Sequence, residues 1–369
     1  MTINKNLRFA LIGAALIVLP LILQSFGNAW VRIADVALLY ILLAVGLNIV
    51  VGYAGLLDLG YVAFFAVGAY MYGLLSSPHL TETFAWLAAS FPNGMHQPLW
   101  IIVPLAALLA GVAGMLLGAP TLKLRGDYLA IVTLGFGEII RIFMNNLDHP
   151  INITNGPKGL NQIDPISIFG LSLGKKLDLF GLELASVTLY YYLFLVLVLI
   201  TILISWRLET SRIGRAWMAI REDEIAAKAM GLNTRNLKLL AFGMGATFGG
   251  VSGAMFAGFQ GFVSPESFSL MESVMIVAMV VLGGLGHLPG VVLGGIGHLP
   301  GVILGAVLLS ALPEVLRYVA GPLQAMTDGR LDASILRQLL IALAMIIIML
   351  VRPKGLWPSP EHGKSLQAK

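Results

Sequence analysis

The feature that most limits what this chain can fold into is its series of long apolar runs. Crossing about 30 Å of hydrocarbon takes roughly 17 to 25 helical residues. Ten stretches meet that length: 8–24, 31–51, 59–75, 99–118, 128–147, 187–206, 238–259, 268–286, 301–320 and 335–351. Backbone groups in lipid must satisfy their own hydrogen bonds, so such stretches fold as helices. The expectation is an all-α polytopic membrane helical bundle of about ten transmembrane helices, forming one transmembrane domain over 1–369. Composition agrees, with 58% hydrophobic and 11% charged residues where a soluble domain carries about 25% charge. The 42 glycines point to helices that approach closely, since only small side chains allow it.

Orientation follows from the basic residues, because positively charged loops resist translocation. One set of alternating segments holds Lys5, Arg8, Lys123, Arg125, Arg207, Arg212, Arg215, Arg221, Lys228, Arg235, Lys238, Arg352, Lys354, Lys364 and Lys369. The opposite set, although it includes the long segments 76–98 and 148–186, holds only Arg32, Lys158, Lys175, Lys176, Arg317, Arg330 and Arg337. Both termini are therefore expected in the cytoplasm, with a polar tail at 352–369. The first apolar run has the length of a signal-peptide core, but QSFGNAW after it offers no small-x-small cleavage site, and its removal would leave an odd number of spans. The net charge of +4 gives no reason to invoke nucleic acid.

The largest segment on the basic side, 207–238, contains IREDEIAAKAMGL. At helical spacing Ile220, Ile225, Ala226, Ala229 and Met230 share one face, which predicts a single amphipathic helix. Such a helix lies on lipid headgroups or seats its apolar face in a groove of a soluble partner. The acidic run Glu222, Asp223, Glu224 fits the second reading better.

Here the sequence resembles known proteins. Glu224, Ala226, Ala227 and then Gly231 are similar to the EAA-type loop of ABC-importer permeases, although Ile225 is inserted and the Ile-x-Leu-Pro ending is missing. The stretches GLNIVVGYAGLLDLGYVAFFAVGAYMYGLL (46–75), TLKLRGDYLAIVTLGFGEIIRI (121–142), ITNGPKGL (153–160) and AAKAMGLNTRNLKLLAF resemble, in order, a branched-chain amino-acid ABC transporter permease of the LivM type. That resemblance implies a type II-like importer permease in a bacterial inner membrane. It implies as partners two ATP-binding subunits, a second homologous permease subunit and a periplasmic amino-acid-binding protein. ATP would be bound by the partner subunits and no cofactor by this chain. Arg221, Glu224, Ala226, Ala227, Gly231 and Leu232 would form the loop that couples to the ATPases, and 148–186 would help dock the binding protein. The implied substrate is leucine, isoleucine or valine; amides, urea and other amino acids stay open.

The residues themselves say more. Gly245, Gly249, Gly253, Ala257 and Gly261 recur every fourth position, a ridge that lets another helix approach closely, and Ala110, Gly114 and Gly118 repeat the device. Glu138 and Arg141 are the most unusual pair. They fall about 15 Å into their span at 1.5 Å per residue, where charge is costly, and their i, i+3 spacing lets them pair. They either fix the helix as an ion pair or line a translocation path, where a zwitterion needs charges of both signs. Asn48 is a further path candidate, and Asp58, Asn145 and Asn146 read more simply as caps or interhelical partners. The long segment 148–186 is rich in turn formers and reads as a short lid or strand-like element.

No phosphate-binding loop is present: Gly363, Lys364 and Ser365 follow Pro358 where a glycine belongs. Glu138 is the single clear mid-span acid, so a proton relay lacks members. Energy is therefore expected through contact with another protein. A secondary transporter built on Glu138 and Arg141, or a channel or structural subunit, are the alternative classes. Catalysis is not expected, because the chain has no cysteine and the histidines at 79, 96, 149, 287, 298 and 362 are scattered over loops without metal-ligand spacing.

One tandem repeat stands apart. GGLGHLPGVVL is followed at once by GGIGHLPGVIL over 283–304. Pro289 and Pro300 lack an N–H and interrupt helices, so the eighth span is expected to end near Gly286 and the ninth to begin near Gly301. His287 and His298 read as interfacial caps, not ligands.

Overall fold

The computed structural model describes residues 5–284 apart from 93, 123, 125, 169, 180 and 181, together with 302–311 and scattered positions between 335 and 350. The described chain is mostly helical. Its helices are α1 (Lys5–Phe26), α2 (Asn28–Asn48), α3 (Val62–Leu75), the short α4 (His79–Thr83) and α5 (Ala85–Ser90), α6 (Leu99–Thr121), α7 (Asp127–Asn146), α8 (Ser186–Thr210), α9 (Arg212–Glu222), α10 (Glu224–Ala229), α11 (Thr234–Gln260) and α12 (Leu270–Gly284). Four are long and apolar enough to cross a membrane: Asn28–Tyr53, Leu99–Thr121, Ser186–Thr210 and Thr234–Gln260. Gly13–Phe26, Val62–Leu75 and Val302–Ala311 are shorter apolar helices. Each of these overlaps one of the ten expected stretches, and α7 and α12 overlap two more. Most of the tandem repeat and of the tenth span, and all of the tail at 352–369, lie outside the described residues.

α11 is the axis of the bundle. The Asn233 side chain caps it by accepting from Asn236 N (3.2 Å), and Gly261, at φ +70°, ends it. Along its length glycine replaces side chain with backbone. A β carbon on Gly253 would stand 2.0 Å from Phe65 O, and one on Gly250 2.6 Å from Ala106 O. Gly245 lies against Val50 and Gly46, Gly249 against Phe64, and Ala257 is fully buried. From α6, Gly114 and Gly118 face Ala246 and Phe242 of α11. α2, α3 and α6 therefore pack on α11 at backbone distance.

The strand-like element expected within 148–186 is present in an otherwise helical chain. Two antiparallel hairpins occupy 167–184: β1 (Ser167–Ile168) with β2 (Leu171–Ser172), and β3 (Leu177–Leu179) with β4 (Leu182–Leu184). Gly170, at φ +82°, turns the first. The segment is stitched to the helix ends beneath it, with Asp164 N donating to Ser76 O (2.9 Å) and Leu160 paired with Val263. This hairpin face lies at one end of the bundle, and α9 and α10 at the other.

Candidate coupling and translocation site

α2 does not end cleanly. After Asn48 the chain widens into a π-helical turn, Ile49–Tyr53, then runs without regular structure to α3. π-turns leave backbone groups without their α-helical partners and recur at functional positions. Side chains from around the bundle supply partners here. Leu59 N donates to Thr133 Oγ1 of α7 (3.0 Å), Gly60 N to Asp58 Oδ1 (2.9 Å) and Val62 N to Ser273 Oγ of α12 (3.1 Å). The Tyr61 hydroxyl donates to Gly245 O of α11 (2.8 Å), and the Tyr53 and Ser205 hydroxyls share a bond of 3.1 Å. A junction of about a dozen residues thereby touches α7, α8, α11 and α12.

α9 reaches the same junction. Ser211 caps it by accepting from Gly214 N (3.1 Å). Trp217 is fully buried and donates from Nε1 to Leu237 O (2.7 Å), and Ile220 is buried beside it. Arg221 then donates from its guanidinium to Gly52 O in the π-turn and lies against Gly55. Burial holds the Arg221 guanidinium below its ordinary pKa.

The expected single amphipathic helix is instead two. Asp223 adopts extended backbone (φ −153°, ψ 109°) and its carboxylate accepts from Ile225 N (2.8 Å) and Ala226 N (3.0 Å), which starts α10 afresh. An acid that caps a new helix competes with continuation of the old one. The faces change accordingly. Ile220 and Ala227 are buried, whereas Ile225 is 69% exposed and Met230 84%, with Ala226 and Ala229 exposed between them. Gly231, at φ +85°, terminates α10, and Leu232 N returns to Ala227 O (3.1 Å). Glu224 is clamped by Lys238 (2.8 Å) and Lys228 (3.1 Å) and accepts from the Thr234 hydroxyl (3.3 Å). Burial raises its carboxyl, but the hydrogen bonds from the two lysines outweigh it and bring the pKa down to about 2.

Near the hairpin end of α7, Glu138 Oε1 accepts from Arg141 Nε (2.9 Å), the intrahelical pair that their spacing allows. Arg141 also binds both oxygens of Glu266 (3.1 Å each), in the turn Pro265–Phe268, and Asn145 donates to the same residue (3.3 Å). Glu266 carried no sequence signal. It lies 125 residues away in a loop, and only the fold brings it near. Asn48 is elsewhere, fully buried against Gly52 at the start of the π-turn. The three path candidates therefore do not form one site. The ridge residues Gly245, Gly249, Gly253 and Ala257 pack the core beside the junction.

A bundle with four helices long and apolar enough to cross a membrane, carrying α9 anchored in it and α10 exposed beside it, has the architecture of a membrane protein. The chain belongs to the family described as "Branched-chain amino acid transport system / permease component", whose model matches residues 29–350. It is 40% identical over 341 residues to the high-affinity branched-chain amino acid transport system permease protein LivM of Escherichia coli (strain K12), covering 89% of this chain and 70% of that one. A probable LivM permease of Methanocaldococcus jannaschii is 24% identical over 339 residues (87% and 90%). The permease protein LivH of Escherichia coli (strain K12) is 23% identical over 331 residues (88% and 93%). No solved structure matches the chain.

Proposed function

We propose that this chain is a transmembrane subunit of an ATP-driven importer for leucine, isoleucine and valine. It spans the bacterial inner membrane about ten times with both termini in the cytoplasm, so α9 and α10 are cytoplasmic and the hairpins periplasmic. It pairs with a second, related permease subunit, two ATPase subunits that bind the ATP, and a periplasmic binding protein that docks over 148–186. The observation that carries this reading is the contrast within 212–232: α9 is locked into the bundle by Trp217, Ile220 and Arg221, while α10 presents Ile225 and Met230 to solvent. An apolar face held out on a fixed base suits a groove on a soluble partner. Force on α10 passes through α9 to the π-turn, and the bundle shifts between outward- and inward-facing forms. Its relatives' names supply the substrate class.

The test is ATP-dependent leucine uptake into proteoliposomes holding this chain with its partner permease and ATPases, supplied with the binding protein. Ile225→Glu with Met230→Glu should lower ATPase co-purification and uptake at least tenfold at normal membrane abundance. Undiminished uptake by that variant would sink the coupling role of α10.

A further inference from the structure

The α2–α3 junction ends on a carboxylate that the fold leaves half used. Asp58 is 2% exposed; Oδ1 accepts from Gly60 N, but Oδ2 meets no donor among the described residues. An ionised oxygen shut away without a partner costs several kcal/mol. Oδ2 is itself closed off, but the residue borders open space. It lines a crevice between α3, α6, α7 and α11, with Phe64, Leu117, Phe136 and Phe242 as its apolar walls and Thr133 as its other polar one. The crevice is narrow as it stands, with room for about one water.

The chemistry of the walls selects the ligand. Thr133 Oγ1 is committed, accepting from Leu59 N and donating to Ala130 O (3.0 Å each). One anionic oxygen therefore remains, too few for a bare Ca²⁺ or Mg²⁺, which takes six or more oxygens. A primary ammonium suits a single carboxylate oxygen, and aromatic and aliphatic walls beside it suit a branched aliphatic chain. We infer that Asp58 Oδ2 receives the α-ammonium of the transported amino acid, whose side chain lies along Phe64, Leu117, Phe136 and Phe242. The inference rests on the importer reading above.

The same contacts that narrow the crevice let it open. The junction before α3 meets α7 there through glycine: a β carbon on Gly60 would stand 2.0 Å from Thr133 O, and one on Gly137 3.1 Å from the Gly60 α carbon. Surfaces without interlocked side chains separate without repacking rotamers. Arg221, gripping Gly52 O and resting on Gly55, holds the segment that carries Asp58 three residues further on. Displacement of α9 thus reaches the carboxylate directly.

Asp58→Asn keeps the acceptor for Gly60 N and removes the charge. In proteoliposomes holding the full complex, this variant should retain ATP hydrolysis stimulated by leucine-loaded binding protein to within twofold. Its leucine uptake should fall at least tenfold, with part restored by Asp58→Glu. Wild-type uptake by Asp58→Asn overturns the inference, as does a parallel loss of hydrolysis and uptake in an assembled complex, which marks a structural carboxylate. If Asp58→Asn does not accumulate, Leu117→Trp narrows the crevice without disturbing the bond to Gly60. It should show the same split, and unchanged uptake overturns the inference. Failure of the importer reading looks different, because the unmodified complex then takes up no leucine on ATP.

Discussion

α11 and α7 belong to one bundle and are built to opposite rules. α11 surrenders side chains: Gly245, Gly250 and Gly253 each lie where a β carbon would strike a neighbour. α7 keeps its side chains and leaves many of them outward, with Tyr128, Ile131, Ile139 and Phe143 exposed and Gly135 facing nothing within 4 Å. It touches the junction before α3 around Thr133 and Gly137. The contrast separates a frame from a panel. Backbone-to-backbone packing on α11 fixes the arrangement of α2, α3 and α6, while α7 is held by Leu129 in the core, a few hydrogen bonds and one charged cluster.

The sharpest way to break this comparison is to add the same side chain to both. Leucine at Gly253 must displace Phe65 O and Ala69 N, which a β carbon would already meet at 2.0 and 2.7 Å. Overpacking against movable side chains costs about 1–3 kcal/mol, and backbone yields less. Gly253→Leu should lower membrane abundance at least tenfold, whereas Gly135→Leu should stay within twofold. Equal losses, measured by quantitative immunoblotting of membranes, would erase the distinction.

The next effect falls on the link between coupling element and frame. Arg221→Ala leaves Gly52 O without its donor and frees the base of α9, while α10 keeps Ile225 and Met230 exposed. ATPase subunits should co-purify as before and leucine uptake should fall about tenfold, since a hydrogen bond from a charged group is worth about 1.5–3 kcal/mol. If co-purification is lost as well, α9 and α10 act as one docking surface.

The frame was more legible in the sequence than the panel. A four-residue glycine repeat reports directly on α11, because small residues at helical spacing serve close packing almost wherever they occur. The same spacing rule joined Ile220 to Met230 in one helix, and there it failed. Asp223 was read as part of an acidic run, but its short side chain caps the next helix, a local competition that hydrophobic periodicity does not register. The π-turn was invisible for a related reason: Ile49–Tyr53 is as apolar as the helix before it, and only tertiary partners widen it. Asp58 was read as a cap or interhelical partner, but α3 has no side-chain cap and Asp58 Oδ1 instead closes a local turn to Gly60 N. Nothing along the chain indicates that Asp58 borders a crevice, because the crevice walls come from four helices.

A smaller effect tests how firmly α10 is tied to the frame. Glu224 is held at about 2 by Lys238 and Lys228 against an ordinary 4.5. A carboxylate with a depressed folded-state pKa contributes stability that is complete above the unfolded value and is lost as pH falls towards the folded one. The clamp should therefore weaken from about pH 4.5 down to about 2 and be unaffected between pH 6 and 8. Screening by solvent keeps its worth to about 1 kcal/mol or less. Detergent-solubilised Glu224→Gln should melt a few degrees lower than the parent at pH 7 and should converge with it at low pH. A difference that persists undiminished at pH 2–3 would mean that the lysine contacts are not what Glu224 contributes.

The smallest effect is expected where the panel meets the hairpin face. Arg141 has two acidic partners, and they are unequal: Glu138 lies on its own helix, whereas Glu266 is 64% exposed in a turn. Exposed ion pairs are worth about 0–1 kcal/mol. Glu266→Gln should leave abundance and melting temperature nearly unchanged, because Arg141 keeps Glu138. Glu138→Gln removes the nearer partner and leaves the guanidinium to Glu266, so α7 can shift towards the turn. Under the frame-and-panel view that shift alters transport per molecule without altering abundance, and Gly253 variants do the reverse. Should Glu138→Gln lower abundance as a Gly253 variant does, with transport per molecule intact, the charged cluster belongs to the frame, and α7 moves, if at all, only at its Thr133 end.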